Sequence, residues 1–238
     1  MLRISLLLLA SSASADDRIT NLPGWSGPQA MYAGYINVNH THGRNLFYWL
    51  VESASSDPSK DPLVLWTNGG PGCSGLSGGL FSEFGPFFPN IDGSLSLTPN
   101  VWTWTQRANV IFIEQPAGVG FSYSENTDDY TVGDAQAAED VYQFLLGFTA
   151  RYPQYAGRPL FLSGESYGGH YVPTEAAAVV RGNAAGGNPQ LNLKGFFVGN
   201  AWTVASLDNT GVSILTRQKL RPQHAPYPNS YPLTPHKP

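Results

Sequence analysis

The sequence predicts an α/β protein built on a central mixed sheet with helices on both faces. Short apolar segments with the length of buried strands recur along the chain, and most run into a glycine-rich or polar turn. One is followed by residues at helical spacing, and the next enters a tight turn before a second helical sequence. A strand, a crossover helix and a parallel strand form a right-handed unit, which layers helix on sheet.

Six segments have the composition of strands: 31–38, 45–52, 63–67, 110–114, 160–162 and 194–198. The first two are rich in aromatic and β-branched residues and flank the polar sequence NHTHGR, so they predict a hairpin. The aromatic segments 81–90 and 95–105 are expected to be packed loops that border a substrate cleft.

Two helices are predicted between and after the later strands. In 134–152, apolar residues recur at helical spacing, with Thr131 or Asp134 as the candidate cap. A second helix runs through 174–181, and Pro173 is expected in its first turn, where proline is tolerated. The uncharged, glycine-rich segment 182–190 is expected to be a surface loop.

Composition narrows the class of protein. The 238 residues are 42% hydrophobic and 13% aromatic, enough for a large folded domain. The formal net charge is −4, only 13% of residues are charged, and no basic run occurs. Nucleic acid is therefore excluded as an expected partner.

The chain divides into three predicted regions. Residues 1–15 combine an arginine, a short apolar run and the small-residue site Ala13-Ser14-Ala15, which predicts a secretory signal peptide too short to span a bilayer. The alternative, a buried N-terminal strand, leaves the small residues unexplained. Residues 16–212 form the N-terminal part of the predicted α/β domain, and the Pro-rich segment 213–238 is expected to be a divergent, disordered tail.

The compartment implied by the leader is the secretory pathway, either secreted or vacuolar/lysosomal. The sequon at Asn39 is compatible with a glycoprotein. Secreted chains usually pair their thiols, yet Cys73 is the single cysteine. Cys73 is therefore either a small buried residue or the partner of a cysteine that this sequence does not contain.

The segment LFLSGESYGGHYVP carries the pattern G-x-S-x-G around Ser166. Glycines on both sides of a strand-to-helix turn permit a strained backbone that raises the serine hydroxyl above the sheet. The alternative is an ordinary Gly/Ser loop, but an apolar strand precedes it and the helical sequence AAAVV follows. The pattern predicts a nucleophile elbow with Ser166 as the nucleophile.

The segment NGGPGCSG, directly after the strand Leu63–Thr67, is the second candidate element. An α/β-hydrolase needs a backbone N–H from this loop to stabilise the oxyanion, and glycine permits close approach to the substrate. Gly70 is the predicted donor. A phosphate loop is disfavoured because G-K-[ST] is missing, and a linker is disfavoured by the tight Gly-Gly-Pro-Gly.

Four stretches, WTNGGPGCSG, FIEQPAGVGFSYS, SGESYGGHYVP and FFVGNAWT, resemble the serine carboxypeptidases, including their plant-type and acyltransferase-like relatives; DRITNLPG resembles the mature start of that family. The resemblance spans about residues 17–211. It implies an α/β-hydrolase fold and removal of C-terminal residues from peptides, usually at acidic pH, with no cofactor and no metal.

The resemblance also implies a set of site residues: Ser166 as nucleophile, the backbone of Gly70 and Tyr167 as oxyanion donors, and Asn68 and Glu165 as the pair that binds the substrate carboxylate, supported by Trp66 and Glu83. A carboxylate beside two glutamates requires a shared proton, which favours binding at low pH. Trp66 serves equally well as a core aromatic.

The sequence departs from the family where the triad is completed. The family places its aspartate and histidine well beyond Ser166, together with supporting strands and the partner of Cys73. The chain is therefore expected to be C-terminally truncated, with a fold that is incomplete at its last strands. Other candidate groups are interpreted as structural or unsupported by a strand: His40, His42, His170, Asp208, His224 and His236.

Three functions follow from these observations. The first is a serine carboxypeptidase acting through a Ser166 acyl-enzyme, and the second is an acyltransferase that delivers the same acyl group to an alcohol. The third is a non-catalytic fragment that binds peptide C-termini. The expected partners are peptide or protein C-termini, without a membrane span, and the oligomeric state stays open.

Overall fold

The computed structural model describes residues 17–94 and 96–210. Its strands are β1 Met31–Asn39, β2 Arg44–Val51, β3 Leu63–Thr67, β4 Phe87–Pro89, β5 Leu97–Pro99, β6 Asn109–Ile113, β7 Leu160–Glu165 and β8 Leu193–Gly199. Its helices are α1 Asp134–Arg151 and α2 Gly168–Ala185, with a π-helical segment at Leu76–Glu83 and 3₁₀ turns at Pro58–Lys60, Trp104–Gln106, Thr127–Tyr130 and Pro153–Tyr155. The predicted leader 1–15, the tail 213–238, His224 and His236 lie outside the described residues.

The main sheet has, within the described residues, the strand order β1-β2-β6-β3-β7-β8. β1 and β2 form the predicted antiparallel hairpin, and β2 pairs antiparallel with β6. β6, β3, β7 and β8 then run parallel. The sheet is therefore mixed, and the carboxyl ends of its four parallel strands meet at one edge, which is where such sheets bind ligands.

The sheet separates two hydrophobic cores. Leu63 and Leu65 of β3 pack on one face with α1 and α2, where Phe144 is fully buried. Val64 and Trp66 point to the opposite face and pack with the π-helical segment. This period-2 alternation inside an almost wholly apolar strand is typical of a sheet covered on both sides. The predicted α/β architecture with helical segments on both faces is confirmed.

Helix α1 begins at the predicted position, but neither candidate cap makes a capping hydrogen bond. The cap position is Gly133, which has no side chain, and Asp134 is the first helical residue. A carboxylate in the first turn still favours the helix, because it lies at the positive end of the helix dipole.

The predictions for α2 were wrong in two details. Pro173 lies in the second turn rather than the first, so α2 lacks the backbone hydrogen bond that a residue with an N–H would donate there. Burial of the apolar face of α2 offsets this loss. Gly182 is helical rather than part of a loop: a Cβ there would lie 2.2 Å from Cζ of Tyr142 on α1. Glycine at 182 thus allows the two helices to approach closely.

The region 76–105 has more regular structure than its sequence indicates. In place of packed loops, the structure has the π-helical segment and the two-stranded β4–β5 sheet. The aromatic anchors are present, since Phe84 stacks on Trp104 with centroids 4.1 Å apart. The π-helical segment is not predicted from the sequence because Ser77-Gly78-Gly79 has low helix propensity. Tertiary contacts of these glycines override that propensity.

A buried ionic cluster joins the β1–β2 hairpin to the chain before and within α1. Arg44 donates to both oxygens of Asp129 at 2.8 and 2.9 Å and to both oxygens of Asp140 at 2.7 and 2.8 Å. His42 also contacts Asp129, through Nδ1 at 2.9 Å. The hydrogen bonds from Arg44 hold the pKa of Asp129 well below its usual range.

A second buried carboxyl lies between α2 and the sheet, without a cation. Glu175 is 1% exposed. Its Oε1 accepts a long hydrogen bond of 3.4 Å from Thr67 Oγ1, and its Oε2 has no partner among the described residues. Burial raises the pKa of Glu175 to about 8. Glu175 is therefore protonated at acidic and neutral pH.

Residues 203–210 form a separate unit from the preceding chain. The backbone N–H groups of Thr203 and Val204 each donate to Asp208 Oδ2 at 2.9 Å, and residues 205–210 are helical. Asp208 thus has a structural role in its own unit. None of the helices in the described part of the chain combines the length and apolar character needed to cross a membrane.

Candidate active site

The turn between β7 and α2 has the geometry of a nucleophile elbow. Ser166 has a left-handed φ of 56°, rare for a residue with a Cβ. Its backbone is held by three hydrogen bonds, of which two come from Gly169 N–H and Trp202 N–H to Ser166 O at 2.9 and 2.7 Å. Gly164 is required below the turn, since a Cβ there would lie 2.6 Å from Thr67 O. The strain expected at a reactive serine is present.

The glycine-rich loop after β3 packs directly on this elbow. A Cβ on Gly69 would lie 2.6 Å from the backbone nitrogen of Tyr167 and 2.9 Å from Ser166 Cβ. Gly70 has φ +110°, a conformation open only to glycine in practice. In the described chain, neither the Gly70 nor the Tyr167 N–H donates a hydrogen bond. Two backbone donors without a partner among the described residues thus lie on the two segments that meet at Ser166.

A polar network occupies the carboxyl ends of β3 and β7. Asn68 is 5% exposed, and its Oδ1 accepts hydrogen bonds from Trp66 Nε1 at 2.6 Å and Gly79 N–H at 3.0 Å. Because both donors fix the carbonyl end of the amide, its Nδ2 points to Glu165 Oε1, 3.3 Å away. Asn68 and Glu165, 97 residues apart in sequence, are therefore brought together next to the elbow.

Glu83 completes this network from the end of the π-helical segment. Burial raises the pKa of Glu83, the amide of Asn68 lowers it, and the charge of Glu165 raises it. A raised pKa favours the protonated form of Glu83, which can donate a hydrogen bond next to the Asn68–Glu165 pair.

Sequence reasoning missed the residues that seat this network. A Cβ on Gly78 would lie 2.2 Å from Asn68 Nδ2, and one on Gly79 would lie 2.4 Å from Trp66 Nε1. The Gly78-Gly79 pair therefore allows the π-helical segment to pack closely against Asn68 and Trp66. This pair is the sequence feature from which the close packing could have been predicted. Trp66 packs in the core as well as bonding to Asn68, since its ring lies edge-on against Phe84 with centroids 4.6 Å apart; its role in substrate binding stays a prediction.

The histidines in the described residues do not contact the serine hydroxyl. His170 stacks on Tyr167 at 4.7 Å and contacts Trp202 at 5.3 Å, and its Nε2 is buried without a partner. His42 belongs to the ionic cluster, and His40 is exposed in the hairpin turn. Within residues 17–94 and 96–210, no side chain hydrogen-bonds to Ser166 Oγ.

Two surface predictions have different outcomes. Cys73 is exposed, so the interpretation as a small buried residue was wrong: the turn that presents Gly70 also turns the thiol outward. Asn39 ends β1 and accepts hydrogen bonds from the backbone of Thr41 and His42 at 3.1 and 3.2 Å. These bonds form a polar turn at the hairpin tip, and glycosylation at Asn39 stays a prediction.

The chain is similar to curated plant proteins along most of its length. It is 50% identical over 191 residues to serine carboxypeptidase-like 27 of Arabidopsis thaliana, covering 79% of this chain and 41% of that protein. It is 46% identical to serine carboxypeptidase 24 of the same plant, covering 87% and 46%. Serine carboxypeptidase 1 of Hordeum vulgare is 47% identical, covering 76% and 37%. The chain thus spans less than half the length of these relatives.

A solved structure agrees with the fold. Kex1Δp, a prohormone-processing carboxypeptidase from Saccharomyces cerevisiae, superposes with a TM-score of 0.76 at 28% identity, covering 90% of this chain and 49% of that one. The family model for serine carboxypeptidase matches residues 23–220. With this match, the elbow at Ser166 and the plant relatives, the chain belongs to the serine carboxypeptidase family of α/β-hydrolases.

Proposed function

We propose that this protein is a serine-type carboxypeptidase that binds the free C-terminal carboxylate of a peptide and acylates Ser166. The observation that carries the proposal is the Asn68–Glu165–Glu83 network beside an elbow with two unpaired backbone donors. An esterase needs the elbow but has no use for a paired-carboxyl site next to it. Such a site distinguishes a substrate with a terminal carboxylate from one without it.

In the proposed reaction, Ser166 Oγ attacks the carbonyl carbon of the last peptide bond. The carbonyl oxygen becomes an oxyanion and accepts hydrogen bonds from Gly70 N–H and Tyr167 N–H. The C–N bond then breaks, the leaving amine takes up the proton that the Ser166 hydroxyl loses, and water hydrolyses the ester to regenerate the hydroxyl. Serine is weakly nucleophilic without a base, and no side chain of the described residues hydrogen-bonds to its hydroxyl, so no residue is assigned as the general base.

Carboxylate binding is proposed to depend on one shared proton. The amide of Asn68 donates to one substrate oxygen, and a protonated carboxyl of the Glu83–Glu165 pair donates to the other. Because burial raises the pKa of Glu83, the donor form persists to a higher pH than in an ordinary glutamate and is lost as the pH rises further. Affinity for the carboxylate should therefore fall with increasing pH.

Calorimetric titration with a blocked dipeptide and its C-terminal amide tests the proposal. We expect the acid to bind at least about tenfold more tightly, since hydrogen bonds to charged groups contribute roughly 1.5–3 kcal/mol. Glu83→Gln should remove the pH dependence of binding. Asn68→Ala should lower the affinity for the dipeptide acid and leave the affinity for its C-terminal amide unchanged. Equal affinity for acid and amide would contradict carboxylate recognition.

The nucleophile is tested separately by covalent labelling with a fluorophosphonate. We expect slow labelling of Ser166 and none in Ser166→Ala. Labelling of a different serine would contradict the assignment of the nucleophile without affecting the binding result. Transfer of an acyl group from a glucose ester to an alcohol, in preference to peptide hydrolysis, would indicate an acyltransferase instead.

We also infer that the protein enters the secretory pathway and carries a glycan at Asn39. Two features support this: the signal-peptide pattern of residues 1–15, and the position of the sequon at the polar hairpin tip. Expression in a secreting eukaryotic cell should yield a product whose mass decreases on treatment with an N-glycosidase. Asn39→Gln should abolish that decrease.

A further inference from the structure

The side chain of Tyr167 has a partner that the proposed reaction does not use. Its phenol donates to Asp134, with the oxygen 3.1 Å from Oδ1 and 3.3 Å from Oδ2. Asp134 is the first residue of α1, whereas Tyr167 directly precedes α2. One hydrogen bond therefore connects the start of a crossover helix to the residue whose backbone N–H faces the oxyanion.

A second tyrosine, one helical turn further on, lies beside the glycine-rich loop. Tyr171 is 3% exposed and lines the same pocket as Pro71. Pro71 directly follows Gly70, the other proposed oxyanion donor. The rings of Tyr167 and Tyr171 contact each other edge to face, with centroids 4.9 Å apart. Tyr171 therefore packs against the tyrosine of one donor segment and borders a pocket with the other.

The surroundings of this hydrogen bond are open. A partly open pocket of about 160 Å³ is lined by Pro71, by Val132 and Gly133 just before α1, and by Tyr167 and Tyr171. Side-chain packing does not fill this space, so the hydrogen bond between Tyr167 and Asp134 is a specific restraint at its border.

We propose that Asp134 is a positioning residue that, through the Tyr167 phenol, holds the Tyr167 N–H in the orientation that an oxyanion requires. The proposal rests on the proposed role of Ser166 and Tyr167. Catalysis by backbone donors depends on their preorganisation, so a group that restricts the donor acts on the rate without touching substrate. Asp134 also interacts with the α1 dipole, and a test has to separate the two roles.

Three substitutions make that separation. Tyr167→Phe removes the hydrogen bond and leaves Asp134 at the helix start. Asp134→Ala removes both the hydrogen bond with Tyr167 and the interaction with the α1 dipole. Asp134→Asn keeps an oxygen that accepts the hydrogen bond from the phenol. Glu139→Ala is the matched control, because Glu139 is exposed on the same helix and, among the described residues, accepts a side-chain hydrogen bond from Gln143 alone. The thermal midpoint of each variant reports on general stability.

The first readout is the second-order rate of Ser166 labelling by a fluorophosphonate. We expect Tyr167→Phe and Asp134→Ala each to slow labelling by roughly tenfold, less than the ~10²–10³ that follows loss of a donor. The double variant should be no slower than either single variant, since both remove one interaction. Asp134→Asn and Glu139→Ala should label at close to the unmutated rate.

The second readout is independent of reactivity. Amide hydrogen exchange at Ser166 and Cys73, whose N–H groups bond to Gly199 O and Gly69 O, reports on the two donor segments. Exchange should be faster in Tyr167→Phe and Asp134→Ala, and unchanged in Glu139→Ala.

The possible failures are distinguishable. If the unmutated chain is not labelled at Ser166, the proposed function fails, and the exchange data alone decide whether Asp134 restrains the elbow. Unchanged exchange and labelling in Tyr167→Phe would overturn the proposal. Rate losses that are additive in the double variant and parallel the thermal midpoints would assign Asp134 to helix stability and overturn it as well.

Discussion

Two buried acidic regions of this protein differ in how their charge is compensated. Asp129 is 5% exposed and is bound by Arg44 and His42, with Asp140 on the other side of the same guanidinium. Glu175 is 1% exposed and has one long hydrogen bond from Thr67. Hydrogen bonds from Arg44 lower the pKa of Asp129, whereas burial raises the pKa of Asp140 in spite of the same guanidinium and raises that of Glu175, which has no cation, to about 8.

The largest effect on stability is expected from removing the cation, Arg44. Arg44→Met removes the cation that two buried carboxyls share and should lower the free energy of unfolding by about 3–5 kcal/mol. Urea denaturation checks this. The control is Lys60→Ala, which removes an ion pair with Asp57 whose side chains are 83% and 42% exposed, and it should change stability far less than Arg44→Met does. Equal effects of the two substitutions would contradict the importance of burial.

The next largest effect is a pH dependence due to Glu175. Its folded-state pKa of about 8 exceeds the ordinary 4.5, so its contribution to stability is full below about pH 4.5 and is lost as the pH rises through 8. We expect a loss on the order of 3 kcal/mol over this range, at about 1.4 kcal/mol per unit of pKa difference with allowance for relaxation.

Glu175→Gln should remove most of this slope, because the amide does not titrate. Thermal midpoints of both proteins at pH 5, 7 and 9 make the measurement. Parallel curves for the two proteins would show that other groups cause the pH dependence. Glu175→Leu should be more stable than the unmutated chain at pH 9, since it replaces a buried charge with an apolar group.

The smallest effect comes from the hydrogen bond that Glu175 does have. Thr67→Val keeps the shape of the side chain but removes the donor, and should cost about 1 kcal/mol at pH 9, where Glu175 is charged. At pH 5 the cost should be smaller, because the bond stabilises mainly the charged form. A larger loss at pH 5 than at pH 9 would contradict this arrangement.

Local sequence patterns accounted for much of the fold. The β1–β2 hairpin, β3, β7 and α1 follow from polar turns, apolar runs and helical spacing, all of which are encoded in consecutive residues. Gly182 was misinterpreted because a glycine that allows helices to approach closely looks the same in sequence as a glycine in a loop. Its meaning depends on Tyr142, a residue on a different helix.

The buried polar groups were the least predictable. Arg44 is 85 and 96 residues from its two carboxylate partners, and no periodicity connects such distant positions. Glu175 looks like a solvent-facing helical residue until its neighbours are known. The Asn68–Glu165 pair was expected only through resemblance to a family, because their proximity depends on β3 and β7 being adjacent.

The alternation of side chains along β3 determines where the protein tolerates deletion of a single residue. Loss of one codon inside Leu63–Thr67 would exchange Leu65 and Trp66 between two cores of different shape and displace Asn68 from the site. Loss of one codon in the exposed turn at 92–94 leaves every strand register intact. Single-codon deletions, assayed as a library for soluble expression, should therefore be absent from β3 and common in that turn.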